Sequence, residues 1–349
     1  MTAFRGDGSG PDDRGGAASE EHAPGQAAAG AEPLRGCPSC GAIFEPGDRF
    51  CEACGEELGE LTRQPPGGDQ AGACRSCGGA VDADGYCARC GVPAVGEANP
   101  DHDELDLGWV AAVTDRGRHH RVNEDAVAAD VIGPTFAGVV CDGVSTTPGS
   151  ALAARRAADA ALVTLRVAVK EGGDLVEAMI AGVAAAHAEV CATPPIDPAN
   201  PPACTIVAAV AGPTAVIIGW LGDSRVYWLD ADGGGLLTRD DSWAADSVTA
   251  GVMTAEEADA DERAHHITRW LGIDAPEGDC HVMEFIPPGP GSLVLCSDGL
   301  WNYASSPEIL GREGAGPALV GARRLCDFAL TSGGHDNITV IVANIGDEP

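Results

Sequence analysis

Phe136-Ala137-Gly138-Val139-Val140-Cys141-Asp142-Gly143 is an apolar run that ends on a carboxylate. Its first six residues read as a buried β-strand. An Asp at the end of such a strand has lost most of its water and needs a partner. Leu293-Val294-Leu295-Cys296-Ser297-Asp298-Gly299 repeats the pattern far downstream. Three more acidic motifs complete the series: Asn123-Glu124-Asp125, Gly222-Asp223-Ser224-Arg225 and Asp336-Asn337. Carboxylates remote in sequence but each at an element end suggest a shared pool of hard cations. All-oxygen ligation favours magnesium or manganese.

Around these motifs, Gly108–Thr114 and Ala126–Ile132 are further β-rich runs. Ser150–Glu171 and Asp174–Cys191 read as helices broken at Gly172-Gly173. Thr205–Ala211, Ala215–Leu221 and Val226–Leu229 return to strands. Ser242–Ala264 is polar and helical, interrupted by Gly251. Val282–Ile286, Leu293–Cys296 and Ile338–Asn344 are strands, and Pro317–Leu330 is a helix. Strand clusters separated by helix pairs predict an α+β fold rather than alternating βαβ units.

The 349 residues suggest about two domains. Residues 1–34, rich in Gly, Ala, Asp, Glu and Pro, predict a disordered acidic tail. Residues 35–92 are punctuated by cysteines, 93–106 read as a linker, and 107–346 as the globular domain. The formal charge is −32, from 53 acidic and 21 basic residues, and Lys170 is the single lysine. Such a chain repels nucleic acid and anionic membranes at long range. Residues 1–31 have no apolar core region and are acidic, so no signal peptide is expected, and no run of about 18 apolar residues occurs. The expectation is a soluble cytoplasmic protein with neither a nucleic-acid nor a membrane partner.

Eight of the fourteen cysteines form four Cys-x-x-Cys pairs: Cys37 with Cys40, Cys51 with Cys54, Cys74 with Cys77, and Cys87 with Cys90. Each pair is followed by glycine. Two such knuckles facing each other make a tetrahedral sulfur site for zinc. The tandem arrangement resembles the double zinc ribbon family and predicts two structural zinc ions, which supply folding free energy that so small a unit lacks. A protein-docking module and a folded spacer are both open as roles. Five Arg against nine Asp or Glu between Arg35 and Val92 disfavour nucleic acid. The other six cysteines have no paired spacing and read as buried small hydrophobes.

Thr114-Asp115-Arg116-Gly117, Asn123-Glu124-Asp125-Ala126, Val139-Val140-Cys141-Asp142-Gly143, Gly222-Asp223-Ser224-Arg225, Ile267-Thr268-Arg269, Leu295-Cys296-Ser297-Asp298-Gly299 and Gly334-His335-Asp336-Asn337-Ile338-Thr339 follow in that order. The series resembles the PPM (PP2C-type) metal-dependent protein serine/threonine phosphatases over about residues 107–346. The resemblance implies an αββα sandwich, two antiparallel sheets flanked by helical layers, with a metal site at one end. It implies that Asp142 bridges two metals and that Gly143 lends its carbonyl. Glu124 holds one metal with Asp125 beside it, and Asp298 and Asp336 complete the other. Asp223 serves a third. Asp142, Asp298 and Asp336 are then the catalytic acids, with two or three Mn2+ or Mg2+ ions activating a water. The expected substrates are phosphoserine and phosphothreonine proteins made by an opposing kinase.

Two departures stand out. The family places a phosphate-holding arginine four residues before the motif Glu; here that position is His120, with Arg121 next to it. A strand alternates its faces, so one of the two faces the site. After Asp142-Gly143 comes Val144-Ser145-Thr146-Thr147-Pro148, so Val144 replaces a histidine that some members use as general acid. Asp115 also reads as a turn residue, and Asp223 as a turn cap paired with Arg225. His265 and His266 read as surface residues of a flap spanning Asp240–His266. A catalytically weak scaffold acting through its ribbons is the alternative function.

Overall fold

The structure, a computed structural model, describes residues 35–36, 43–44, 101–276 and 278–346. The chain divides into two compact units, residues 1–62 and 63–349. In the first, β1 (Arg35–Gly36) and β2 (Ile43–Phe44) pair antiparallel. The expected tail and residues 93–100 of the linker lie outside the described residues. So do the cysteines expected to bind zinc: Cys37, Cys40, Cys51 and Cys54 of the first ribbon, and Cys74, Cys77, Cys87 and Cys90 of the second.

The described part of the second unit opens with β3 (His102–Asp106), β4 (Val110–Asp115), β5 (Ala126–Ile132) and β6 (Thr135–Cys141). Helices α1 (Ser150–Glu171) and α2 (Leu175–Ala192) follow. Then come β7 (Ala203–Cys204), β8 (Ile206–Ala211), β9 (Val216–Leu221), β10 (Arg225–Leu229) and β11 (Gly235–Leu236). The flap region holds α3 (Trp243–Thr249) and α4 (Ala255–Asp259). The chain closes with β12 (Leu271–Gly272), β13 (His281–Phe285), β14 (Gly291–Cys296), α5 (Asp298–Trp301), α6 (Pro307–Glu313), α7 (Ala318–Ser332) and β15 (Ile338–Ile345).

The strands make a six-stranded sheet, β11-β10-β14-β15-β4-β3, and a five-stranded sheet, β13-β9-β8-β6-β5, both antiparallel throughout. Side chains alternate between two layers because the strand period is two. Val110 and Ala112 of β4, Val140 of β6, Ile218 of β9 and Ile341 of β15 share one core between the sheets. Ala111 and Val113 point the other way, into a second core with Leu300 of α5, Leu310 of α6 and Leu325 of α7. Val139 and Cys141 pack outward against Ala153, Ala157 and Met179 of α1 and α2. The order of layers is therefore helices, sheet, sheet, helices: the αββα sandwich expected for residues 107–346.

Helix ends follow local chemistry. Gly172, at φ 67°, caps α1 in the left-handed conformation, its N–H reaching Ala168 O and Val169 O. Asp174 then caps α2, accepting from the amides of Val176 and Glu177. By length and composition α2 could cross a membrane. Its Ala178, Met179, Val183, Ala186 and Val190, however, form one buried face packed in the core beneath it.

One expectation needs correction. Residues 102–106, assigned to the linker, are strand β3, paired with β4 from His102↔Asp115 to Asp106↔Ala111. The helical flap stretch is interrupted at Gly251 as expected, with α3 before it and α4 after it; Ser242 and Thr254 each start a helix by accepting an amide hydrogen bond.

Candidate metal centre

Strand register brings the acidic motifs to one end of the sandwich. In the five-stranded sheet Ala126 lies opposite Cys141, so Asp125 and Asp142 leave neighbouring strands at the same edge. In the six-stranded sheet Arg225 lies opposite Cys296, and Ile338 opposite Asp115. Asp223, Asp298 and Asp336 therefore emerge together. Asp223 sits on the turn that passes from β9 in one sheet to β10 in the other.

The acids meet. Asp142 is hydrogen-bonded to both Asp125 and Asp298. Burial pushes the Asp142 and Asp298 carboxyls well above the ordinary carboxylate range, and neighbouring charges push them further: Asp125, Asp298, Asp336 and Asp223 act on Asp142. Asp125 and Asp223 are pushed up to about 7, burial again being the largest cause. Burial also raises Glu124, against the opposing effects of a Ser145 hydrogen bond and the His120 charge. Asp125 accepts from Ser297 Oγ at 2.7 Å, and Ser297 Oγ in turn accepts from the Thr339 amide at 3.0 Å. Beneath them Asn123 Nδ2 donates to Thr114 Oγ1 (2.9 Å), which contacts Thr339 Oγ1 (2.7 Å).

Among the described residues no three His, Cys, Asp or Glu side chains already form a metal cage. The carboxyls instead lie close enough to oppose one another's ionisation. The donor set still fits divalent cations: it is all oxygen, it is buried at Asp125 and Asp223 and half-buried elsewhere, and its members raise each other's pKa, the condition that a dication relieves. Gly143 bridges Cys204 across the strand gap, and the Asp142 carbonyl accepts from the Thr205 amide at 2.8 Å, so the Asp142-Gly143 turn is fixed by backbone.

Residues 116–121 run beside these acids. Gly117, at φ 74°, permits the approach; a Cβ there would fall 2.1 Å from the Asp336 carbonyl. His120 faces the site, its Nε2 3.2 Å from Asp336 Oδ1 and its Nδ1 4.0 Å from Glu124 Oε2. Arg121 is exposed. The His119 ring stacks on His335 at 4.4 Å between centroids. Burial, with His335, His120 and Arg118 nearby, holds the His119 pKa down. Asp115 is a turn residue, as the sequence suggests, accepting from the Gly117 amide at 2.8 Å and contacting His102.

Residues outside the expected donor set also serve the site. Asn337 Oδ1 accepts from the Glu124 amide (2.7 Å), while its Nδ2 donates to the carbonyls of Arg116 (2.7 Å) and Val122 (3.1 Å). Arg225 does not pair with Asp223. Its Nε and Nη2 fork onto Asp240 at 2.9 and 2.7 Å, and its guanidinium lies 3.7 Å from the centroid of the Trp301 ring. The Trp301 indole donates to the Asp223 carbonyl at 2.9 Å. Asp241 accepts from the Gly222 amide at 3.0 Å and contacts His281 at 2.8 Å. The first residues of the flap thus anchor the turn that carries Asp223. Val144 is tied through its own backbone, which donates to Ala203 O and accepts from Thr147 and Ser150.

The comparisons agree with this geometry. The sequence profile of the Protein phosphatase 2C family matches residues 116–312. The serine/threonine protein phosphatase PstP of Mycobacterium tuberculosis is 30% identical over 241 residues, covering 68% of this chain and 45% of that protein. The serine/threonine phosphatase stp of Listeria innocua is 35% identical over 147 residues, covering 40% of this chain and 55% of that protein. The chain thus spans about half the length of the curated relatives it matches. The crystal structure of M. tuberculosis PstP/Ppp superposes with a TM-score of 0.59 at 27% identity, covering 68% of this chain and 98% of that one. The PstP catalytic domain solved with two manganese ions gives 0.52, also at 27% identity. The chain belongs to the protein phosphatase 2C family.

Proposed function

We propose that residues 101–346 are a metal-dependent phosphatase for phosphoserine and phosphothreonine in proteins. The reading is carried by the convergence of Glu124, Asp125, Asp142, Asp223, Asp298 and Asp336 from both sheets at one end of the sandwich. Asp142 and Gly143, with Glu124 on one side and Asp298 and Asp336 on the other, would hold two Mn2+ or Mg2+ ions. Asp223 would hold a third. Bound there, the ions would lower the pKa of a shared water and offset the charge of the phosphate.

The chain's own groups do the rest. Several carboxylates are needed because two dications in one pocket must be neutralised. His120, the basic side chain facing Asp336 and Glu124, takes the place of the family's arginine and orients a phosphate oxygen. Asn337 fixes the loop that carries both His120 and Glu124. Val144 has no proton to give, so the leaving alkoxide takes its proton from solvent. That favours good leaving groups.

The same reading extends to the N-terminal cysteines. Their spacing supports two structural zinc sites in a reducing cytoplasm, one from Cys37, Cys40, Cys51 and Cys54 and one from Cys74, Cys77, Cys87 and Cys90. The ribbons so formed would dock a protein partner. The acidic balance of the chain speaks against nucleic acid in that role.

The decisive experiment is hydrolysis of a phosphothreonine peptide by the full chain. Turnover should require manganese or magnesium, stop with EDTA and vanish in Asp142→Ala. Metal-independent turnover, or turnover surviving in Asp142→Ala, would overturn the assignment.

A further inference from the structure

Most arginines in the sandwich are neutralised by a neighbouring acid: Arg155 by Asp159, Arg166 by Asp130, Arg239 by Asp246 and Arg323 by Glu104. That is expected in a chain with 53 acidic and 21 basic residues. Among the described residues Arg118, Arg121, Arg156, Arg269 and Arg324 make no ion pair; of these, Arg118 and Arg121 lie on the stretch that carries His120 to Asp336, and both are exposed. They stand on either side of His119 and His120.

This stretch lies along Gly334-His335-Asp336. The Arg118 amide donates to Gly334 O at 2.8 Å. The Arg118 stem covers Gly334, where a Cβ would lie 3.1 Å from Arg118 Cγ. His119 stacks on His335, and His120 reaches Asp336. Tyr303 extends the stack, its ring 6.5 Å from that of His335, and its hydroxyl accepts from the His335 amide at 3.2 Å. The backbone that carries these two exposed arginines is thereby held beside the carboxylate cluster by the stacked rings and by the Arg118 amide. The side chains beside them are histidines (His119, His120, His335), and Arg116 is already engaged with Asp101 at 3.3 Å.

In a chain this acidic, solubility does not require exposed arginines at that spot. An acidic substrate segment would be repelled by most of the surface and accepted here. Guanidinium groups match carboxylates and phosphates by bidentate hydrogen bonds. We infer that Arg118 and Arg121 form a subsite for an anionic group flanking the phosphoresidue, an Asp or Glu side chain or a second phosphorylated residue. The phosphatase then selects acidic or multiply phosphorylated segments. This rests on the phosphatase reading above and names the substrate class of the same site.

The test uses the full chain with manganese and one phosphothreonine peptide in three versions: neutral flanks, acidic flanks, and a second phosphoserine in the flank. The readout is the ratio of kcat/KM for each anionic peptide to that for the neutral one. Two partly exposed charge pairs predict a ratio of about 3 to 10. The ratio should fall with added salt, collapse toward one in the double variant Arg118→Gln/Arg121→Gln, and persist in Arg118→Lys/Arg121→Lys. A purely structural role would lower all three rates together and leave the ratios in place. An advantage confined to acidic flanks identifies carboxylate as the ligand, and one confined to the second phosphate identifies phosphate. Ratios near one in the wild type, or ratios that survive in the double Gln variant, overturn the inference. No hydrolysis of any peptide would instead overturn the phosphatase reading itself.

Discussion

Asn337 and Glu124 stand 213 residues apart in sequence and are joined by a 2.7 Å hydrogen bond from the Glu124 amide to Asn337 Oδ1. The same side chain donates to two carbonyls of the Arg116–Val122 loop. One amide group therefore sets where the loop with His120 and Glu124 stands relative to Asp336.

Replacing Asn337 with Ala leaves one amide and two carbonyls without partners. Each such loss costs roughly 1 to 3 kcal/mol, so a total of about 3 kcal/mol or more is expected. Urea unfolding measures that loss. A manganese titration should show weaker binding, because the Glu124 backbone is no longer fixed. A variant as stable as the wild type would mean that water replaces the side chain.

Asp142 is the most crowded of the acids, so Asp142→Asn should act in opposite directions on the two forms of the protein. Without metal, removing a carboxyl whose ionisation is opposed by burial and by neighbouring acids should raise the melting temperature. With manganese, the metal-induced rise should shrink and turnover should drop by about three orders of magnitude or more. Calorimetry with and without manganese separates the two effects.

The raised carboxyls set a pH dependence. Asp125 and Asp223 titrate at about 7 in the folded, metal-free chain, against about 4 when unfolded. The unfolded chain releases these protons first as pH rises, so the folded state binds more protons between those values. Stability of the EDTA-treated protein is therefore greatest below about pH 4 on this account, and is lost as pH rises to about 7. Manganese should restore more at pH 8 than at pH 5, releasing protons as it binds. Melting curves across that range in both conditions give the sign directly. A metal-free melting temperature that climbs from pH 5 to 7 would contradict it.

Arg225 and Asp240 are largely buried, with side chains 15% and 12% exposed. Truncating Arg225 to Ala strands the Asp240 carboxylate and removes the stack on Trp301, with an expected cost of about 3 kcal/mol. Arg225→Lys keeps the charge but not the fork, and should recover only part of that. A double-mutant cycle with Asp240→Asn isolates the pair.

For the cysteine-rich segment, elemental analysis of gently purified protein should find about two zinc ions per chain. They should survive a mild EDTA treatment that stops turnover, since thiolate zinc sites and carboxylate sites differ greatly in affinity. Less than one zinc per chain would count against the ribbons.

The main elements are legible because their sequences carry strong periodic signals. The apolar run Phe136–Cys141 is one residue short of β6, and Ser150–Glu171 coincides with α1. β3 escapes because His102-Asp103-Glu104-Leu105-Asp106 is almost wholly polar. An edge strand with an exposed face needs no apolar pattern, and this one is held by pairing to β4 and by Arg323 on Glu104. α5 escapes because it is a single turn hidden inside the Asp298-Gly299 motif.

The acids themselves are visible from the strand ends they occupy. Their supports are not. Nothing in Arg225's neighbourhood names Asp240 over Asp223, and nothing in Asp336-Asn337 shows that the Asn clamps a loop two hundred residues earlier. Partner choice of that kind is decided by sheet register and turn geometry, which no local pattern encodes. The choice between His120 and Arg121 is likewise left open by sequence. Geometry turns the His toward Asp336 and the Arg toward solvent.

Asp125 and Asp142 hang from the five-stranded sheet, Asp298 and Asp336 from the six-stranded one, and Asp223 from the turn that joins them. An ion held by Asp142 and Asp298 together would act as a rivet through the seam of the sandwich. Amides at the acid-bearing ends of β6 and β14 would then gain protection from hydrogen exchange in step as metal is added. Those at the far ends, around Thr135 and Gly291, would keep the protection they already have.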